Sequence, residues 1–122
     1  MKSTRRRAPA ADLDALVRAL RAKGLRVDAA GEVSQPFFTP EGRAFTVAGE
    51  NVQVFRYASA QAAEAEARQV NAEGTAVGTS TAMWVGPPHF YRQGKLIVLY
   101  VGDNEALLKA LSSVLGPQFA GK

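Results

Sequence analysis

The chain has 122 residues, of which 47% are hydrophobic and 21% charged, and its formal net charge is +4. This length fits one domain with a single hydrophobic core, and these fractions are ordinary for a globular chain. No apolar run approaches the ~20 residues of a membrane-spanning helix, and the absence of cysteine excludes disulfides, thiol catalysis and cysteine-bound zinc.

The excess of positive charge is concentrated at the N-terminus. Four of the 15 basic residues lie within the first seven positions: Lys2, Arg5, Arg6 and Arg7. The remaining basic residues balance the 11 acidic residues. We expect residues 1–11 to form a disordered basic tail and residues 12–122 to form one α+β domain. The alternative is an arm through which these four residues bind nucleic acid or an anionic surface, although a nucleic-acid partner is the less favoured expectation.

The same segment bears on the compartment. A basic start resembles the first part of a secretory leader, but no apolar segment follows it before the first helix. We therefore expect a cytoplasmic protein, with the cell envelope as the alternative if an export leader has been removed.

Periodicity and capping residues predict three helices, over Asp12–Lys23, Ala60–Glu73 and Glu105–Leu115. Apolar residues recur every three or four positions in the first and the third, which gives each an apolar stripe. The second is rich in alanine, with Val70 its only large aliphatic residue, and predicts a thin cover over a sheet.

Alternating and continuous apolar segments predict the strands. Ala44–Val47 and Val52–Tyr57 form a hairpin with a four-residue connection, and Ala76–Val85 forms a single strand. The expected fold is α+β: an antiparallel sheet of five to seven strands with three helices packed mainly on one face. The order is α, β-meander, α, β-meander, α, with a weak internal repeat in which Gly42 corresponds to Gly94.

The longest apolar run, Leu96–Val101, is apolar on both sides of the strand it predicts. One side faces helices, and the other needs a cover of its own because a large bare apolar patch is unusual on a monomer. That cover is a second helix, a partner subunit or a ligand. The run therefore carries the prediction of self-association through the sheet or of an apolar small-molecule ligand.

Candidate chemistry is sparse. His89 is the only histidine, so no pair of histidines can hold a metal, and the carboxylates are scattered without a phosphate-binding loop. A non-catalytic binding or interaction domain without cofactor or metal is therefore favoured, and a hydrolase or isomerase that uses His89 is the weaker alternative. A ligand would contact aromatic and polar residues near the long strand: Tyr57, Trp84, His89, Tyr91 and Arg92.

Three stretches carry a resemblance to other proteins: GENVQVFRY over 49–57, PPHFYRQGKLIVLYVG over 87–102 and LGPQFAG over 115–121. With them, the chain from Leu13 to Gly121 resembles a group of small bacterial proteins, many of which are exported and lipid-anchored. The resemblance implies no particular activity, so no functional residues are carried over. The chain departs from the anchored members because it has neither their leader nor a cysteine for a lipid.

Overall fold

The structure is a computed structural model that describes residues 13–35, 38–74, 76–77, 80–81 and 86–121. Its helices are α1 (Leu13–Ala22), α2 (Ala60–Ala67) and α3 (Glu105–Leu115). Its strands are β1 (Val27–Val33), β2 (Gly42–Val47), β3 (Glu50–Arg56), β4 (Ala76–Val77), β5 (Ser80–Thr81), β6 (Pro88–Gln93), β7 (Leu96–Val101) and β8 (Ala120–Gly121). The predicted α+β class and the order of its elements are confirmed.

Six strands form one antiparallel sheet in the order β1-β2-β3-β7-β6-β8. The two long hairpins meet at the centre, where β3 pairs with β7, and Val54 lies opposite Val98. Strand β7 is therefore central, and β1 and the two-residue β8 are the edges.

The two faces of the sheet are covered by different helices. Helices α1 and α3 pack on the face that carries Leu96, Val98 and Tyr100 of β7. Helix α2 and Phe38 pack on the opposite face, against Ile97 and Leu99. Two of the three helices thus share one face, and the second side of Leu96–Val101 is covered by a helix of the same chain.

The local sequence explains the ends of the helices. The side chain of Ser59 accepts a hydrogen bond from the Ala62 N–H, and that of Asn104 accepts one from the Leu107 N–H. Both satisfy N–H groups that the first helical turn leaves unpaired. Asp12, the predicted cap of the first helix, lies outside the described residues.

Helix α2 is shorter than the predicted Ala60–Glu73. Its last turn tightens, because the N–H groups of Gln69 and Val70 bond carbonyls three residues back. Val70 then enters the core beside Phe90 on the α2 face, and the Asn71 N–H bonds the Ala76 carbonyl at 2.9 Å. Val70, the large aliphatic residue of the predicted helix, therefore lies beyond the end of α2 and is buried in the core of that face.

Two details of the predicted strands are wrong. The β2–β3 connection is two residues long, since Val47 pairs with Glu50, and both connecting residues have a positive φ (53° at Ala48, 83° at Gly49). Such a backbone matches the twist of a tight hairpin. The single strand Ala76–Val85 is instead two short strands, β4 and β5, that pair antiparallel with each other.

The two glycines of the suspected repeat occupy different positions. Gly42 pairs with Phe55 inside the sheet, whereas Gly94 lies in the turn between β6 and β7. A Cβ at residue 42 would lie 2.6 Å from the Phe55 ring. The spacing therefore does not correspond to a repeated structural unit at these positions.

Candidate functional site

His89 lies inside the molecule, at the junction of β6, the segment after β7 and the C-terminal segment. It is 4% exposed, and its ring stacks on Tyr100 with centroids 5.8 Å apart. Nε2 lies 2.8 Å from the Gly102 carbonyl oxygen, and Nδ1 lies 2.9 Å from Oε1 of Gln118. Both ring nitrogens are therefore occupied by internal partners, and neither partner is a carboxylate. This arrangement joins three segments of the fold.

The sheet separates the predicted ligand-binding residues. His89 and Tyr91 pair with Tyr100 and Val98, which places them on the face covered by α1 and α3. Arg92 pairs with Ile97 on the opposite face, where Tyr57 is also buried. Trp84 lies outside the described residues. The four described members therefore do not line one pocket.

Tyr91 is fully buried, and its hydroxyl has no hydrogen-bond partner of acceptable geometry in the described part of the chain. Burial raises the pKa of Tyr91, while the neighbouring Ser112 hydroxyl acts in the opposite direction. An unpaired buried hydroxyl destabilises the fold.

Two other tyrosines donate to glutamates. The Tyr57 hydroxyl donates to Oε1 of Glu66 at 2.6 Å. Burial is the main cause that raises the pKa of Tyr57, and this hydrogen bond raises it further. The Tyr100 hydroxyl donates to Glu50 at 2.6 Å. Burial, and to a smaller extent this hydrogen bond, raises the pKa of Tyr100 to about 12. Both hydroxyls stay protonated over the ordinary pH range, so neither serves as a base.

Glu66 connects α2 with the segment that precedes β2. Thr39 donates to it from its N–H at 2.9 Å and from its hydroxyl at 2.5 Å. Partial burial acts to raise the pKa of Glu66, but the bonds from Thr39 and Tyr57 outweigh it, so the pKa is lowered. The carboxylate is thus a fixed acceptor within the fold.

Within residues 13–121 as described, no group of three or more His, Cys, Asp or Glu side chains is placed to hold a metal ion. None of the described helices is both long and apolar enough to cross a membrane. The tail residues of the alternative site, Lys2, Arg5, Arg6 and Arg7, lie outside the described residues.

The structure forms a groove that the sequence analysis does not predict, between α1 and β2. Leu16 and Leu20 of α1 are buried in the core. The neighbouring side of α1, which carries Leu13, Val17 and Arg21, faces β2. The β1 residue that pairs with Phe45 is Ala29, too small to fill the space beside that ring, and a bulge follows it. The resulting cavity of about 260 Å³ is lined by Leu13, Asp14, Val17, Arg18, Arg21, Arg43 and Phe45, here called the arginine groove.

Three guanidinium groups and one carboxylate line this groove. Arg21 donates to the Val27 carbonyl at 2.8 Å, which holds it against the fold. Arg18 and Arg43 form no side-chain hydrogen bond or ion pair in the described part of the chain, where the ion pairs within 4.0 Å are Arg26–Asp28 and Arg68–Glu64. The groove thus carries excess positive charge above an apolar floor.

Two carboxylates near the groove leave this charge uncompensated. Asp14 is four residues before Arg18 on α1, yet the two form no ion pair within 4.0 Å. Glu32 is the cross-strand neighbour of Arg43 and likewise forms no ion pair with it. An arriving anion would therefore not have to displace an internal partner.

Arg18 and Arg21 lie toward the C-terminal end of the predicted first helix, where positive side chains interact favourably with the helix dipole. Their spacing of three residues beside the apolar stripe was the available signal, since it places both on one side of α1. The contribution of Arg43 depends on the packing of α1 over β2, which no local pattern encodes.

A second groove, of about 650 Å³, lies between the end of α1 and α3. It is lined mainly by small side chains and two lysines: Ala22, Lys23, Leu25, Ala106, Lys109, Ala110 and Ser113. It lacks both the planar guanidinium donors and the aromatic floor of the arginine groove. The arginine groove is therefore the better candidate for specific binding.

Comparison of the chain with family models, with curated proteins and with solved structures gives no match. The resemblance to small bacterial proteins stays a prediction, and the functional argument rests on the geometry of the site.

Proposed function

We propose that the protein is a non-catalytic binding domain that holds an anionic ligand in the arginine groove. The observation that carries the proposal is the convergence of Arg18, Arg21 and Arg43 on one groove, two of them without an internal partner. Like charges that converge repel one another, and a bound anion removes that repulsion while it gains charge-assisted hydrogen bonds.

The polar groups of the core support a binding role over an enzymatic one. His89 is occupied at both nitrogens, and Tyr57, Glu66 and Tyr100 bond to other parts of the same fold. A general base must reach a substrate proton within hydrogen-bond distance. These groups instead form hydrogen bonds that join segments of the same chain.

The proposal is tested by thermal unfolding with a panel of compounds at one ionic strength: phosphate esters, carboxylates, uncharged apolar compounds and a single-stranded oligonucleotide. A ligand that binds only the folded state raises the Tm. We expect the small anions to raise it for the wild type and not for the double variant Arg18→Gln/Arg43→Gln. The control Arg56→Gln/Arg92→Gln removes the same charge outside the groove and should keep the response.

An increase with uncharged apolar compounds alone would instead support the apolar ligand that the sequence predicts. Equal loss of response in both double variants would show that net charge, and not the groove, controls binding. Either result contradicts the proposal.

Self-association through the sheet is a second proposal, supported by the open edge of β1. Its seven residues pair only with β2 among the described strands, so one row of backbone groups faces outward. Sedimentation should then show a concentration-dependent dimer that Ala30→Pro disrupts. A monomer at all concentrations would exclude it.

Binding through the basic tail is a further prediction that the arginine groove does not require. If Lys2, Arg5, Arg6 and Arg7 bind nucleic acid, deletion of residues 2–7 should abolish a strongly salt-dependent association with an oligonucleotide. Unchanged oligonucleotide binding by the truncated protein would rule the tail out.

A further inference from the structure

We propose that the ligand of the arginine groove is a phosphate monoester whose organic part is apolar or aromatic. This inference rests on the proposed anion-binding function and names the chemical class of the ligand. Three features of the groove lead to it: its charge, the geometry of its donors and its floor.

The charge of the groove matches a compact dianion. Among the residues that line the groove, three guanidinium groups and the carboxylate of Asp14 leave an excess of two positive charges, which Glu32, outside the lining but opposite Arg43 in the sheet, partly offsets. A phosphate monoester carries a charge of about −1.5 to −2 at neutral pH. An extended polyanion fits less well, because its further phosphates would extend past this cavity of about 260 Å³. Asp14, which lines the groove, and Glu32, the cross-strand neighbour of Arg43, would repel those phosphates.

The donors favour a phosphate over a carboxylate. Each guanidinium presents five N–H donors in a planar fork, and Arg21 uses one of them on Val27. A terminal phosphate offers three oxygens, so each of the three arginines can engage one of its own. A carboxylate offers two oxygens, so two of the three arginines would have to share one oxygen, as the donors to Glu66 do.

The floor distinguishes an ester from free phosphate. Phe45 is 9% exposed, and the partly buried Leu13 and Val17 lie beside it along α1. Inorganic phosphate would leave these apolar surfaces in water. An aromatic or aliphatic group attached to the phosphate would cover them, and that burial adds affinity.

The test is a titration of the full chain, followed by amide chemical shifts, with phenyl phosphate, inorganic phosphate and benzoate as probes at ~0.1 M salt. We expect phenyl phosphate to bind at least about threefold more tightly than either other probe, through its ring and its second charge. Arg43→Gln should weaken it about tenfold, the usual loss for a hydrogen bond to a charged group. The control Arg92→Gln, on the opposite face, should stay within about twofold.

The pH of the titration provides an independent readout. The second ionisation of a phosphate monoester lies near pH ~6, so phenyl phosphate should bind several-fold more weakly at pH 5 than at pH 7.5. Benzoate keeps its single charge between pH 5 and pH 7.5, so a change in its affinity would come from the protein. The charged groups that face the ligand are Asp14, Glu32 and the three arginines. A parallel loss for both probes would place the titration on the protein and overturn the dianion.

The outcomes separate this inference from the function beneath it. Binding of benzoate as tight as that of phenyl phosphate, with the same loss in Arg43→Gln, would overturn the phosphate ester and leave an anion-binding groove. Equal binding of inorganic and phenyl phosphate would overturn the apolar part. No Arg43-dependent binding of any probe would overturn both proposals. If an oligonucleotide bound more tightly than phenyl phosphate, with a steep dependence on salt, and changed the chemical shifts of the same amides, the ligand would be a nucleic acid and not a phosphate ester.

Discussion

The region around His89 and the arginine groove differ in how their polar groups are satisfied. His89 is buried, and both of its ring nitrogens have internal partners. Arg18 and Arg43 are exposed, converge on one groove and have no internal partner among the described residues. The single histidine of the chain thus serves the fold, and three ordinary surface charges form the better binding site. Chemical reactivity becomes function only where a ligand can reach it.

The largest effect that separates the two regions should come from His89→Ala. It removes the His89 partner of the Gly102 carbonyl and of Oε1 of Gln118 and opens a cavity beside Tyr100, so the free energy of unfolding should fall by about 2–4 kcal/mol. Denaturant unfolding measures this. Phenyl phosphate binding at low temperature should be unchanged. Arg43→Gln should do the reverse, with stability within about 0.5 kcal/mol of wild type. An unchanged unfolding free energy for His89→Ala would break the comparison.

Glu66→Gln extends the comparison to a carboxylate that is bound on both oxygens. Its lowered pKa means that the stabilisation is complete above the unfolded-state value of about 4.3 and is lost as the pH falls through the lower folded-state value. At pH 7 the variant should lose about 1–2 kcal/mol, from the bonds of Thr39 and Tyr57. Its difference from wild type should close at low pH. The control is Glu64→Gln on the same helix, whose exposed pair with Arg68 should contribute less than about 0.5 kcal/mol.

Tyr91→Phe tests the buried Tyr91 hydroxyl, which has no partner among the described residues and lies on the face of the sheet that α1 and α3 cover. Because the buried hydroxyl has no partner, its removal should leave the unfolding free energy unchanged or raise it by up to about 1 kcal/mol. Tyr57→Phe is the matched control and should lower it by about 1 kcal/mol, since it loses the bond to Glu66. Thermal unfolding of the two variants side by side is sufficient. A loss in Tyr91→Phe as large as in Tyr57→Phe would show that Tyr91 has a partner in solution.

The smallest effect should come from Asp14→Asn in the groove. Removal of the single carboxylate should tighten phenyl phosphate binding by about two- to threefold at low salt, and the gain should shrink as salt is added. Stability should fall by about 0.3–0.5 kcal/mol, because Asp14 lies near the positive end of α1. Weaker binding in this variant would mean that Asp14 accepts a hydrogen bond from the ligand.

Much of the fold could be predicted from local patterns. The stripe of α1, the caps of α2 and α3 and the two-sided run of β7 each follow from a period or a capping residue. The end of α2 and the two-residue β2–β3 turn could not be predicted in this way. At the first, the hydrogen bonds change to a three-residue spacing and Val70 packs in the core beyond the helix, and the second requires a positive φ at Ala48, a residue that rarely adopts it.

The sequence by itself determined the class of the fold, the positions of the main elements and the need for a cover on each side of Leu96–Val101. These features follow from periodicity and from the burial of apolar surface, both of which are encoded locally. Only the tertiary structure decided that α2 is the second cover, that the sheet separates Tyr57 and Arg92 from His89 and Tyr91, and that Arg43 joins Arg18 and Arg21. Each of these depends on contacts between residues that are distant in the chain and on the face of the sheet on which a helix packs. Local periodicity does not encode either of them.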